Sequence, residues 1–193
     1  MNHYCLVTEL PPRPTVPGPP TLPWAALWER CQPELDEPAQ AAIEALRALD
    51  GPDQDPAEAA QMVDPRAHTE RALGRADETS SAFLQQWVRY EVALREALAA
   101  RRAAALGRPW SPPAPEIAAQ ADALASKVDE VMSIAGPLKR QRALDTERLR
   151  ALSQMLESDE FSTDAVLARV VAALVVDRWD RWPEGEALEE VWM

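Results

Sequence analysis

The chain has 193 residues, 47% of them hydrophobic, and a formal net charge of −12. A chain this long can bury roughly 70% of its unfolded surface, and so apolar a composition excludes an intrinsically disordered polymer. The acidic balance opposes binding to a phosphate backbone, so no nucleic acid is expected as a partner.

Alanine and leucine are abundant, and the six glycines are all isolated. That favours helices, because alanine and leucine give up little backbone and side-chain freedom in a helix. The first residues, MNHYCLVTEL, have no basic n-region and no long apolar core, so no signal peptide is expected. Cys5 and Cys31 can close at most one disulfide and would stay reduced in the cytoplasm. With His3 and His68 they offer no zinc-ligand spacing. They read as two small, semi-buried thiols, and neither a metal nor a cofactor is expected.

Seven of the 18 prolines crowd into PPRPTVPGPPTLP, residues 11–23. Proline fixes φ and removes a backbone donor, so this segment should be extended, near polyproline II. It reads as a strap tying an N-terminal element to the body, with a PxxP ligand for another domain as the rival. WAALWERC then reads as a short helix, and DEPAQAAIEALRAL as another capped by Asp36. DGPDQDP at 50–56 breaks the chain, and residues 56–75 are weakly patterned, suggesting two short helical turns.

A long helix is expected over 78–106, where Phe83, Trp87, Tyr90, Leu94, Ala97 and Leu98 recur at helical spacing. Gly107 is its expected stop, followed by a turn in RPWSPPAP. Ile117, Ala121, Leu124, Val128 and Val131 mark a second long helix ending at AGP, 135–137. A third carries Leu149, Leu152 and Leu156. The last should start at Ser162 and run to Trp182 as the central helix, because Val166–Val176 is apolar on nearly every side except at Arg169. It should leave the core at Asp177. At twelve residues, the apolar tract Ala165–Val176 is too short for the ~20 that span a bilayer. The expectation is a soluble, cytoplasmic, all-α protein, a bundle of long antiparallel helices forming one domain over residues 1–193.

Chemistry-bearing motifs are scarce. There is no glycine-rich phosphate loop and no dinucleotide fingerprint, nor a G-x-S-x-G elbow or H-E-x-x-H. No catalytic residue is assigned, and an enzyme is not expected. Asp177 with Asp180, and Asp129 with Glu130, read as solvated carboxylates. Glu91 and Arg95 form an i,i+4 pair worth a few tenths of a kcal/mol. Arginine is concentrated instead: Arg66 to Arg108 holds eight arginines against five acidic residues. Arg95, Arg102 and the adjacent Arg101 share one side of the long helix, with Arg89 on its flank. They form either a solvated face or a strip that docks on the carboxylates of a partner.

Three stretches resemble, in order, the marks of a small bacterial family: MNHYCLVTELP, WVRYEVALREALAARRAAALG and FSTDAVLARVVAALVVDRWDRW. That family is encoded among the genes of bacterial V-type (V/A-type) rotary ATPases, at the place expected for the C-type stalk protein. The likeness spans Met1 to about Trp182. The middle stretch also resembles the helix of C-type and d-type stalk proteins that ends in an Arg-rich turn and Gly, here Arg101, Arg102 and Gly107. The resemblance implies an all-α, non-catalytic component that transmits torque between the central stalk and the membrane-embedded proteolipid ring, within an ion- or proton-transporting machine. It would sit peripherally at the inner face of the membrane. An independent helical scaffold or adaptor, binding through the Pro-rich segment or the Arg-rich helix, is the alternative.

Overall fold

A computed structural model describes residues 3–49, 65–111, 115–156 and 159–180. Among these residues the protein is all-α: helices α1 (Tyr4–Glu9), α2 (Trp24–Cys31), α3 (Glu37–Leu49), α4 (Pro65–Glu78), α5 (Ala82–Ala105), α6 (Pro115–Met132), α7 (Pro137–Met155) and α8 (Thr163–Asp177), with 3-10 turns at Gln32–Glu34 and Arg178–Asp180. The described residues fall into two compact units, one built from residues 1–35 and 131–193 and the other from residues 36–130.

The first unit is organised around α8. Ser162 caps it, its Oγ accepting a hydrogen bond from Ala165 N at 3.1 Å, and Asp164 places a negative charge at the positive end of the helix. Val166, Leu167, Val170, Val171 and Val176 are all at most 1% exposed. Burying each such side chain contributes roughly 1.5–3 kcal/mol, and the small Ala168 and Ala172 between them let neighbours approach closely. Helices α2 and α7 pack on α8. The backbone N–H of Trp24, an orphan donor at the start of α2, is taken by Asp177 Oδ1 at 3.2 Å.

His3 and α1 are tied to the start of the same helix. His3 N donates to Phe161 O at 2.9 Å, His3 Nε2 lies 3.1 Å from Thr163 Oγ1, and the Tyr4 and Phe161 rings are 4.9 Å apart. Residues 11–23 form neither helix nor strand. Arg142 of α7 reaches this segment, its Nη2 donating to Pro17 O at 3.3 Å.

In the second unit α3 packs on α4, and both pack on α5. Asp36 caps α3 as expected, its Oδ1 accepting from Ala39 N at 2.9 Å. Residues 50–64 lie outside the described residues, so the expected break at 50–56 is not placed. From Pro65, however, α4 is one continuous helix rather than two short turns. Its apolar stripe is thin, resting on Ala72 and Ala76, both at 0% exposure, which is why its period is hard to read.

The long helix begins later than expected, at Ala82. Thr79–Ser81 interrupt it because their hydroxyls compete for the backbone. Thr79 Oγ1 accepts from Ser81 N at 3.2 Å, and Ser81 Oγ from Leu84 N at 3.0 Å. At its far end Gly107 adopts φ +63°, as the expected stop requires. There Arg108 N bonds Ala103 O at 2.9 Å and Gly107 N bonds Ala104 O at 3.1 Å, closing the helix with paired reverse bonds.

Helix α6 ends at Met132, a few residues before AGP, and Pro137 instead opens α7 behind Gly136 (φ +87°). Helix α8 stops at Asp177 and continues only as the 3-10 turn Arg178–Asp180; residues 181 and 182 lie outside the described residues. Nor does the chain leave the core at Asp177, since Trp179 is 8% exposed.

Candidate functional site

The three arginines of α5 meet different fates. Arg95 is half-buried and turned inward: its Nε donates to Glu91 Oε1 at 2.9 Å and its Nη1 to Leu49 O at 2.5 Å. Leu49 is the last residue of α3, so the guanidinium satisfies a terminal carbonyl at the negative end of that helix. The Glu91 side chain is 7% exposed, so this pair is largely screened from water rather than the surface pair the spacing suggests. Arg101 is exposed and pairs with Asp129 of α6, Nε to Oδ1 at 2.5 Å. Arg102 is exposed. Arg89 on the flank pairs with Asp77. The exposed arginines of α5 are therefore Arg101, paired with Asp129, and Arg102, both at its C-terminal turn, and Arg95 does not join them at the surface.

Helix α5 also buries Glu96, whose Oε2 accepts from Trp110 Nε1 at 3.1 Å. This bond folds the segment after Gly107 back on the helix. Loss of water contact raises the Glu96 pKa, opposed by the Trp110 hydrogen bond and by the charge of Arg66.

A polar cluster in the first unit is not visible from the sequence. Asp145 of α7 is 0% exposed. Its Oδ1 accepts from Arg148 Nη1 at 2.9 Å and from Gln141 Nε2 at 3.0 Å, and its Oδ2 from Trp179 Nε1 at 3.0 Å. Arg178 Nε stands 3.9 Å away, and the Arg142 guanidinium lies 5.4 Å from the centroid of the Trp179 ring. Gln141, Arg148 and Trp179 all donate to the carboxylate, so the cluster is a clasp between α7 and the turn after α8. The spacing of Arg148 and Gln141 about Asp145 can be read along α7; the tryptophan 34 residues away cannot.

The two cysteines differ more than their expected semi-buried state suggests. Cys5 is an exposed free thiol, and Cys31 is a buried one. Burial pushes the Cys31 thiol up to about 11, with the Arg169 and Arg30 charges pulling the other way. It is thus a core residue rather than a nucleophile at neutral pH. His3 is also buried, with Glu34 Oε2 3.7 Å from its Nδ1. Among the described residues no group of three or more His, Cys, Asp or Glu side chains is placed to hold a metal ion. Asp177 caps α2 instead of facing solvent, whereas Asp129 and Glu130 are exposed. Among the described residues no helix is long and apolar enough to cross a membrane.

No protein-family model, no curated protein and no solved structure matches this chain significantly.

Proposed function

We propose that this chain is a non-catalytic coupling component of a bacterial V-type (V/A-type) rotary ATPase, akin to the C-type stalk protein, joining the central stalk to the proteolipid ring. In that role it would be a bundle of long antiparallel helices held peripherally at the inner membrane face by its neighbours in the complex. One observation carries it. The first and last of the three family-like stretches, far apart in sequence, interlock through His3, Tyr4, Phe161 and Thr163. These two stretches therefore belong to one structural unit. The middle stretch forms α5, ending in the Arg101–Arg102 turn and Gly107. The exposed Arg102, beside an Arg101 that pairs with Asp129, suits an acidic surface on a neighbouring protein, since guanidinium forks match carboxylates.

The test is affinity capture of the tagged protein from its native membranes, with identification of the co-purifying chains. Stalk and ring proteins should be recovered, and recovery should fall as salt rises, because exposed charges are screened over ~8 Å at physiological ionic strength. Arg101→Glu with Arg102→Glu should keep the circular dichroism of the wild type and reduce recovery, since like charges would then face each other. Recovery of unrelated proteins without any stalk or ring component would favour the scaffold reading. The exposure of Val16, at 69% within the Pro-rich segment, gives that alternative its one structural support.

A further inference from the structure

The end of α5 gathers positive charge and apolar surface that its own unit does not cover. Residues 97–115 contain three arginines and no acidic residue, in a chain with 32 acidic residues against 20 basic ones. Arg101 is answered by Asp129. Arg102 and Arg108 are exposed and form no ion pair among the described residues. Leu106, where the helix ends, is 68% exposed, and Trp110 is 45% exposed. Water would normally be kept from side chains of this size, and open apolar side chains set together mark a site of association.

The backbone holds these groups near one another. Leu106 comes four positions after Arg102, so the two share a side of the helix. The reverse bond from Arg108 N to Ala103 O, at 2.9 Å, keeps Arg108 beside the last turn. Trp110 is folded back along α5, its Nε1 donating to Glu96 Oε2 at 3.1 Å. Glu96, Ala99, Ala103 and Leu106 follow one another at spacings of 3, 4 and 3 along the helix. The indole is thus anchored by its polar edge while part of its ring stays open to water. An aromatic ring already held in place loses little freedom on binding, and the free arginines beside it select a partner of opposite charge.

We propose that this surface docks residues 184–193 of a second copy of the chain, each copy giving its segment to the other. That segment, EGEALEEVWM, lies outside the described residues; it has four glutamates, no basic residue, and the apolar Leu188, Val191, Trp192 and Met193. It complements the end of α5 in both respects. Its carboxylates suit the guanidinium forks of Arg102 and Arg108, and its large apolar side chains suit Leu106 and the open part of the Trp110 ring. The acidic run at 50–64 offers carboxylates but no aromatic residue and no leucine. Exchange in both directions is a two-fold arrangement. It makes the contact twice, and the second contact forms at the raised effective concentration set by the first. No other protein is needed, so the exchange is tested separately from the rotary-ATPase reading.

The experiment is sedimentation equilibrium of the pure full-length chain, up to roughly 0.1 mM. A species of twice the 21.3 kDa chain mass is expected, and it should dissociate as salt rises. An excess of the end-capped peptide EGEALEEVWM should also return it to single chains. Arg102→Glu with Arg108→Glu, and separately Glu189→Arg with Glu190→Arg, should each weaken self-association at least roughly tenfold while keeping the wild-type circular dichroism. Mixing those two variants should restore a dimer, because both exchanged contacts then join opposite charges; a change acting only on the fold would not be rescued. A single chain at the highest concentration, a dimer that the peptide leaves intact, or variants that fail to recombine would each overturn the proposal.

Discussion

Asp145→Asn tests the buried clasp with almost no change in shape. Asp145 is fully buried and accepts from Arg148, Gln141 and Trp179 at 2.9–3.0 Å. Asparagine keeps one acceptor oxygen but turns an NH₂ donor toward groups that are themselves donors. It also removes the negative charge facing Arg148, a residue 5% exposed. Breaking a buried pair of this kind costs about 3–5 kcal/mol, a large part of the roughly 5–15 kcal/mol that a domain typically has. At roughly 2–4 °C per kcal/mol for a chain of this size, the melting temperature should fall by roughly 6–20 °C. Urea unfolding followed by tryptophan fluorescence reads the change, since Trp24, Trp28 and Trp179 all belong to this unit. Arg148→Met should be costly too, and the double variant should lose less than the two single losses combined, because neither half then remains buried opposite a missing partner. A loss below about 1 kcal/mol in Asp145→Asn, the range of an exposed ion pair, would refute the clasp.

Val171→Asp places a charge at a position 1% exposed in the middle of α8 and should destabilise by at least ~3 kcal/mol in thermal unfolding; an unchanged melt would remove α8 from the centre of its unit. Ser162→Ala deletes the α8 cap and should cost about 1 kcal/mol by urea titration. Glu96 has its pKa raised above the ordinary 4.5, so the folded state holds this proton more tightly than the unfolded state does. Its contribution therefore favours folding at low pH and is lost as pH rises from 4.5 through the raised folded value. Glu96→Gln keeps an acceptor for Trp110 and should remove that loss, making the variant more stable than wild type at about pH 7 and flattening its stability profile at higher pH. Urea titrations across roughly pH 4–8 check the sign.

What the sequence made legible was chemistry that acts within a few residues. Asp36, Ser162 and Gly107 were readable because a cap or a left-handed stop is decided by neighbours about three to five positions away. The apolar circumference of α8 was readable for the same reason, since periodicity is a local property. The break at Thr79–Ser81 was not: those hydroxyls are compatible with a helix, and only their actual hydrogen bonds to Ser81 N and Leu84 N show them leaving it. The Asp145 clasp was out of reach because Trp179 donates across 34 residues of chain, and tryptophan after an apolar helix reads as an exit to solvent.

The arginines show why residue type and helical face stop short of function. Arg95 and Arg102 are seven positions apart, so any helical wheel places them nearly together. Yet Arg95 is occupied by Glu91 and the Leu49 carbonyl, whereas Arg102 is exposed. The difference arises from where α3 ends: its final carbonyl comes within reach of one guanidinium, and a helix terminus is where carbonyls need donors. Arg169 is the converse case. An arginine within an apolar helix suggests a defect in the core, yet its Nη1 donates to the Ala165 carbonyl one turn earlier in α8, beside the Pro-rich segment. The hydrogen bonding of Arg95 is thus set by an element remote in sequence, which no helical wheel displays.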